Sequence, residues 1–147
     1  MAWETPIFDR TQADIDFARQ KIREWKSSGD RNTTNLKGCF NTSDINRIEN
    51  NIQFLSDNLS ELYYFSTVTT KTWDKSGLPT VDDINRLIQN TLTIISSICE
   101  DTPELPTTLL TIEDVNCLEL NINKLKMILD DMSASFLECD TFECGEG

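Results

Sequence analysis

The sequence predicts an all-α protein, a four-helix bundle made from two tandem helical hairpins. Three features of the 147 residues lead to this prediction. Four segments carry the same helix-start pattern, an apolar seam with helical spacing follows each start, and the pattern returns after a long interval. Two similar hairpins would bury their seams most economically against each other.

Each predicted helix begins with a residue suited to N-capping, followed three residues later by an aspartate. The capping side chain can accept a hydrogen bond from the backbone N–H of the aspartate, whose carboxylate can accept one from the backbone N–H of the cap. The carboxylate also complements the positive end of the helix. The four pairs are Thr11 and Asp14, Asn41 and Asp44, Thr80 and Asp83, and Thr111 and Asp114.

Apolar residues follow each start at alternating intervals of three and four, which places them on one face of a helix. Thr91 is the one polar residue among them, and the set is expected to form the core. The predicted seams are Ile15, Ala18, Ile22 and Trp25, then Ile45, Ile48, Ile52, Leu55 and Leu59, then Ile84, Leu87, Thr91, Ile94 and Ile98, and finally Val115, Leu118, Ile122, Leu125 and Leu129.

The intervals between the capping aspartates indicate a duplication. Asp14 and Asp83 are 69 residues apart, and Asp44 and Asp114 are 70 residues apart. The length suits a single domain over the whole chain. Within 1–147 we expect one unit over 3–65, a connection over 66–72, a second unit over 73–132 and an irregular tail over 133–147.

The composition narrows the classes of partner. The formal net charge is −12, from 25 acidic and 13 basic residues, which disfavours binding to the phosphates of nucleic acids. No apolar run approaches the roughly 20 residues of a membrane-spanning helix. The start of the chain lacks the basic and apolar parts of a secretory signal. We therefore expect a soluble protein made in a cytoplasm, with no membrane or nucleic acid partner.

Catalytic, metal and cofactor sites are not predicted. The chain has no histidine, which removes the commonest base for a serine or cysteine nucleophile, and its five glycines form no phosphate-binding loop. The five cysteines lack Cys-x-x-Cys spacing, and pairing of Cys139 with Cys144 is left open. The acidic pairs at 82–83 and 130–131 lack the spacing of a calcium-binding EF-hand loop.

Asparagines recur at matched places in the predicted helices, although asparagine is a poor residue for a helix interior. Their return indicates side-chain hydrogen bonds to neighbouring loops, and the alternative is a ligand surface made four times over. The residues are Asn46, Asn85 and Asn116, together with Asn51, Asn90 and Asn121.

Aromatic residues outside the seams are candidates for contacts with a protein partner. Loops on a rigid scaffold commonly carry recognition, and aromatic side chains supply much of the binding energy. Those directly after the second helix could instead fill the core, and the tryptophan before the third helix could cover an end of the bundle. The candidates are Tyr63, Tyr64, Phe65, Trp73, Phe136 and Phe142.

One pattern in the chain resembles repeats of known proteins. It comprises Trp-x-x-Pro, then Asp-Arg-Thr, then a helix start that continues as Asp-Ile-Asn-Arg-Ile-Glu-x-Asn-Ile. The matching stretches are residues 3–6 (WETP), 9–11 (DRT), 36–52 (LKGCFNTSDINRIENNI) and, more weakly, 111–122 (TIEDVNCLELNI). They resemble repeats in tail- and baseplate-associated structural proteins of phages and prophages of Gram-positive bacteria.

The resemblance implies a non-enzymatic structural or assembly protein of a phage or prophage particle. Such a protein would be made in the bacterial host cytoplasm, reside in the virion, and contact other virion proteins or further copies of itself. Two other classes remain open, an acidic phage inhibitor of a host defence protein that imitates the charge of DNA, and a cellular helical adaptor. The inhibitor would expose ordered rows of carboxylates without an apolar contact patch.

Overall fold

Four α-helices make up the regular structure of the computed structural model, which describes residues 2–29, 36–74, 76–98, 104–107, 109 and 111–143, with side chains as far as residue 134. The helices are α1 (Gln12–Ser28), α2 (Thr42–Glu61), α3 (Val81–Ile98) and α4 (Ile112–Glu143). No β-strand occurs in these ranges. The predicted all-α class and the packing of the helices in a bundle are confirmed.

The hydrophobic core lies between α2, α3 and α4. The seams predicted for α2 and α4 are buried along their whole length, and the middle of the α3 seam is buried as well. The Thr91 hydroxyl donates to the carbonyl of Leu87 at 3.0 Å, which satisfies this polar residue inside the core. Ile84 and Ile98, at the two ends of the α3 seam, are half-buried and pack against the core.

The three core helices run parallel, which differs from the predicted pair of hairpins. Arg47, near the start of α2, binds Glu119, near the start of α4, at 2.6 Å. Arg86, near the start of α3, binds Glu49 in the first half of α2 at 2.9 Å. The beginnings of all three helices therefore lie side by side at one end of the bundle.

A long linker makes the parallel arrangement possible. After α2 the chain returns along the same helix, so that Ser66 lies 3.1 Å from Ser56 and the Trp73 N–H donates to Asn46 at 2.7 Å. This linker (residues 66–73) brings the start of α3 back to the start of α2. A hairpin of antiparallel helices would need only a loop of about 2–5 residues.

Each groove between two core helices holds a non-helical segment. The N-terminal segment (residues 2–10) lies between α4 and α2, and the α2–α3 linker (66–73) lies between α2 and α3. The α3–α4 linker (described over 104–107) lies beside α3 and α4. Helix and segment thus repeat three times around one axis, a regularity that the 70-residue interval does not predict.

Helix α1 lies outside this core, contrary to the role predicted for its seam. Ala18 is the one buried residue of α1, and the other three seam residues are half-buried. The helix packs against the loop before α2, where a Cβ on Gly38 would lie 2.2 Å from the Asp14 carbonyl oxygen. Because three helices and three segments already enclose the core, no position inside it is left for α1.

Residues 133–143 continue α4, which corrects the prediction of an irregular tail over this range. The stretch contains no glycine or proline, and Ala134, Leu137 and Glu138 are good helix formers. Residues 144–147 lie outside the described residues, as does the side chain of Cys139, so the pairing of Cys139 with Cys144 stays open.

The predicted capping pairs stand at the helix starts. At α1, α3 and α4 the threonine hydroxyl accepts from the aspartate N–H at 3.3, 3.3 and 3.1 Å, and the aspartate carboxylate accepts from the threonine N–H. At α2 the Asp44 carboxylate accepts from the Asn41 N–H at 2.7 Å. The Asn41 amide also donates to the carbonyls of Leu36 and Cys39, which ties the preceding loop to the helix.

Replacing Thr111 by alanine should lower the free energy of unfolding by about 0.5–2 kcal/mol, because the first turn of α4 loses its side-chain acceptor. Chemical denaturation followed by circular dichroism measures the change. Thr67→Ala is a matched control, since Thr67 is exposed and lies outside the helices. The control should change the value by less than about 0.5 kcal/mol. Equal effects of the two substitutions would contradict the role of Thr111.

Candidate functional site

Asparagine side chains attach the non-helical segments to the core helices. In four cases one amide binds both the backbone N–H and the backbone C=O of a single residue, which requires an extended backbone at that residue. The prediction that recurring asparagines bind neighbouring loops is confirmed for these four. The pairs are Asn51 with Glu4, Asn116 with Arg10, Asn46 with Trp73, and Asn90 with Thr69.

A buried charge cluster fixes the end of the N-terminal segment. The Arg10 guanidinium donates to Asp44 at 2.9 Å and to Glu119 at 3.0 Å, and its side chain is 1% exposed. Arg47 binds the same carboxylates, at 2.7 Å to Asp44 and at 2.6 Å to Glu119. Burial alone would lower the pKa of Arg47, but its hydrogen bonds with Glu119 and Asp44 raise that pKa above its ordinary value. Two cations thus neutralise two anions inside the protein.

A second cluster of the same kind lies between α2 and α3. Glu49 accepts from the Arg86 guanidinium, and these hydrogen bonds raise the pKa of Arg86. Glu49 also accepts from the Lys71 backbone N–H at 3.2 Å and from the Trp73 indole N–H at 3.1 Å. The Lys71 ammonium in turn donates to Asp83 at 2.6 Å. The α2–α3 linker is therefore held by charge as well as by asparagines.

Neither Glu49 nor Glu119 is among the predicted core residues, although both are buried. Each stands five residues after a capping aspartate and directly follows a seam residue. The signal that identifies them is a carboxylate at the same position beside the apolar seam of two helices. Such a carboxylate indicates a cationic partner, because an unpaired buried charge is very costly. Arg10 gives no comparable signal, since its partners are 34 and 109 residues away in the sequence.

The second cluster predicts a dependence of stability on pH. Hydrogen bonds from Lys71 and from the Thr80 backbone hold the pKa of Asp83 at about 2, below its ordinary value of 3.8. The folded state thus gives up this proton more readily than the unfolded state. The resulting stabilisation is complete above the ordinary pKa and is lost as the pH falls through about 2.

We expect Asp83→Asn to flatten the fall in melting temperature between about pH 4 and pH 2. The matched control is Asp82→Asn, because Asp82 is the exposed neighbour at the same helix start. Thermal melts across this pH range provide the measurement. If Asp83→Asn and Asp82→Asn gave the same slope, the assignment of this acid response to Asp83 would be wrong.

The turn after α2 exposes three successive aromatic side chains. The exposed fraction is 76% for Tyr63, 40% for Tyr64 and 71% for Phe65. The rings of Tyr63 and Phe65 stand edge to face, with centroids 6.4 Å apart. These side chains do not fill the core, which resolves the choice that the sequence left open. We call Tyr63, Tyr64 and Phe65 the aromatic turn.

Tyr63 has a left-handed backbone with a φ of 67°, which bulky residues rarely adopt. This conformation ends α2, because it directs the Tyr64 N–H to the Leu59 carbonyl at 2.9 Å and the Tyr63 N–H to the Ser60 carbonyl at 3.0 Å. Glycine is the usual residue at such a helix end. A large, exposed side chain therefore occupies a place where it strains the backbone and adds little burial.

Replacing Tyr63 by glycine should raise the free energy of unfolding by about 0.5–1 kcal/mol, because glycine adopts the left-handed conformation without strain. Tyr63→Ala is the matched control. It removes the same ring but keeps a Cβ, so it should leave the value within about 0.5 kcal/mol of the original. Chemical denaturation of the three proteins separates the cases. A less stable glycine variant would show that the Tyr63 ring itself supports the fold.

The other predicted contact residues have different environments. Trp73 is half-buried, packs against the core and donates its indole N–H to Glu49, so its contacts are internal. Phe136 and Phe142 lie in the last part of α4, where side chains are outside the described residues. The aromatic turn is thus the part of the predicted contact surface that the structure places at the exterior.

Within the described residues, no group of three acidic or cysteine side chains is arranged to hold a metal ion. Two cysteines of this part of the chain, Cys39 and Cys117, are free and half-buried, and burial raises the pKa of the Cys39 thiol. None of the helices in the same ranges combines the length and apolar character needed to cross a bilayer.

Comparison with protein families, curated proteins and solved structures gives no match to this chain. Its function is therefore inferred from its own residues, chiefly from the aromatic turn and from the segments that surround the core.

Proposed function

We propose that the chain is a non-enzymatic structural or assembly protein of a phage or prophage particle, associated with the tail or baseplate. It acts by protein–protein contact, and its contact surface is the aromatic turn. The observation that carries the contact role is the left-handed Tyr63 beside the exposed Phe65. The particle setting rests on the resemblance of residues 36–52 and 111–122 to tail- and baseplate-associated repeats.

The aromatic turn has the properties of a binding surface. Aromatic side chains are the commonest anchors at protein interfaces, since each buries a large area at a small entropic cost. The turn directly follows α2, whose seam is fully buried, so its rings stand on a rigid support. Backbone strain at an exposed residue is typical of positions kept for function rather than for stability.

The exposed aromatic turn favours a contact role over imitation of DNA. A protein that mimics DNA needs ordered rows of exposed carboxylates, and it has no need of an apolar patch. In this chain four carboxylates are buried and bound to arginine or lysine, and they are Asp44, Glu49, Asp83 and Glu119. Three exposed aromatic rings lie in succession on the surface instead.

The proposal is tested by introducing Tyr63→Gly together with Phe65→Ser into the gene within its prophage. The matched control is Phe17→Ser, because Phe17 is an aromatic residue of α1 that is 54% exposed. Induced particles are examined by electron microscopy, and purified virions by mass spectrometry. We expect the double variant to be absent from particles or to give malformed tails, whereas the control protein is incorporated normally.

Deletion of the gene distinguishes the other classes. Missing or malformed tails support the structural role. Normal, infectious particles combined with restored host immunity would favour an inhibitor of host defence. Normal particles with unchanged immunity would favour a cellular adaptor. In either of the last two cases, the protein would also be missing from purified virions of the unmodified prophage.

A further inference from the structure

Within the described residues, Asn85 is the member of the asparagine set that binds no backbone group. It stands two residues after the capping aspartate of α3, as Asn46 does in α2 and Asn116 in α4. Its side chain is exposed, and among the described residues no group forms a hydrogen bond with it. The other two asparagines each bind an extended residue through both atoms of the amide. The same residue type thus stands at the same place in three helices, and in the part of the chain that the structure describes it binds a backbone in two of them.

The two occupied positions share a second feature, a basic residue in the bound segment. Arg10 binds Asn116 through its backbone and Asp44 through its guanidinium. In the α2–α3 linker, Trp73 is the residue bound by Asn46, and Lys71 binds Asp83. In both cases the base reaches the capping aspartate of a core helix that borders its groove, Asp44 of α2 for Arg10 and Asp83 of α3 for Lys71. The described part of the α3–α4 linker, residues 104–107 (ELPT), contains no base.

A groove of about 450 Å³ opens beside Asn85. Ile88 and Leu92 of α3 line one side, and Leu105 and Pro106 of the α3–α4 linker line the other. The carboxylate-bearing residue Glu104 also borders it, in a chain with a net charge of −12. The groove therefore offers apolar side chains, the amide of Asn85 and the carboxylate of Glu104.

We infer that this groove binds an extended segment of a partner protein that carries a basic residue. Asn85 holds the N–H and C=O of one residue of that segment, as Asn46 holds those of Trp73. An apolar side chain of the segment packs on Ile88 and Leu92, and its base faces the carboxylate of Glu104. The proposed binding groove is separate from the aromatic turn, so a result that contradicts one binding site does not contradict the other.

The chain itself supplies a probe, because the α2–α3 linker already binds in this manner. A synthetic peptide with the sequence of residues 66–74 (STVTTKTWD) is titrated into the full-length protein by isothermal calorimetry. Asn85→Ala should weaken binding at least about tenfold, since two hydrogen bonds of the amide are lost. The matched control is Asn123→Ala on α4, away from the groove, and it should leave the affinity unchanged.

Two modified peptides test the mode of binding. N-methylation at the tryptophan removes the backbone N–H that would donate a hydrogen bond to the Asn85 side-chain oxygen. Replacement of the lysine by glutamate reverses the charge of the basic side chain. Both should reduce the affinity for the unmodified protein. Circular dichroism of Asn85→Ala establishes that the variant is folded, which is expected for an exposed side chain.

Three results would overturn the inference. The first is absence of binding by the unmodified peptide. The second is binding that Asn85→Ala does not change, which would mean that the peptide displaces the chain's own linker from Asn46. The third is dimerisation of the peptide-free protein that Asn85→Ala abolishes, which would assign the groove to a second copy of this chain.

Discussion

Substitution of Arg10 by alanine is expected to lower the free energy of unfolding by about 3–5 kcal/mol, the usual cost of removing one partner from a buried ion pair. Two buried carboxylates, Asp44 and Glu119, would be left with one guanidinium between them. The substitution also removes the hydrogen bond from the Arg10 guanidinium to the Ile7 carbonyl within the N-terminal segment, whereas the hydrogen bonds of Asn116 with the backbone of residue 10 remain. Urea denaturation followed by circular dichroism measures the loss.

Two further variants define the cause of this effect. Arg19→Ala is the matched control, because Arg19 is an exposed arginine of α1, and it should change the free energy by less than about 0.5 kcal/mol. Arg10→Lys keeps the charge but loses the planar fork that reaches two carboxylates, so it should fall between the other two. A stability of Arg10→Ala close to that of the unmodified protein would show that the cluster is not needed for the fold.

Truncation of the core should be comparably severe. Ile52→Ala in α2 and Ile122→Ala in α4 are each expected to cost about 2–5 kcal/mol, because burial is lost and a cavity remains. Both side chains are almost completely buried, at 0% and 1% exposure. The two residues stand at matched places in the helix repeat, eight residues after their capping aspartates, so their effects should be similar.

The control for these truncations is Ile128→Ala, since Ile128 lies on α4 with 42% of its surface exposed. It should cost less than about 1 kcal/mol. Denaturant melts of the three variants provide the comparison. If the exposed position proved as sensitive as Ile52 and Ile122, the assignment of the buried seam would be mistaken.

Local patterns predicted the parts of the fold that depend on local physics. A capping residue and an aspartate three positions later interact within one helical turn, so their meaning can be read from a short window. The same is true of the α2 and α4 seams, which follow the period of the helix. The exposed aromatic turn was predicted only as one of two possibilities, because the pattern YYF does not distinguish a core residue from a surface residue.

The direction of the helices could not be predicted in this way. The intervals of 69 and 70 residues between the capping aspartates fit two antiparallel hairpins. The interval between Asp44 and Asp114 fits equally well a repeat in which only α2 and α4 are equivalent. What decides between them is the pairing of Arg47 with Glu119 and of Arg86 with Glu49, across 72 and 37 residues. No sequence periodicity indicates such pairs. The residues bound by Asn46 and Asn116 are likewise distant in the sequence, at 27 and 106 residues.

The contact of the N-terminal segment with α4 also sets the order in which the chain can fold. The Ile7 N–H donates to the Glu119 carboxylate, which lies 112 residues later in the sequence. The N-terminal segment therefore cannot occupy the groove between α2 and α4 until α4 has been synthesised. Closing so long a loop costs conformational entropy, and topologies with distant contacts fold more slowly than helical bundles with local ones. The N-terminal segment can therefore reach its native position only after α4 has formed beside α2, and its arrival fills the groove between these two helices.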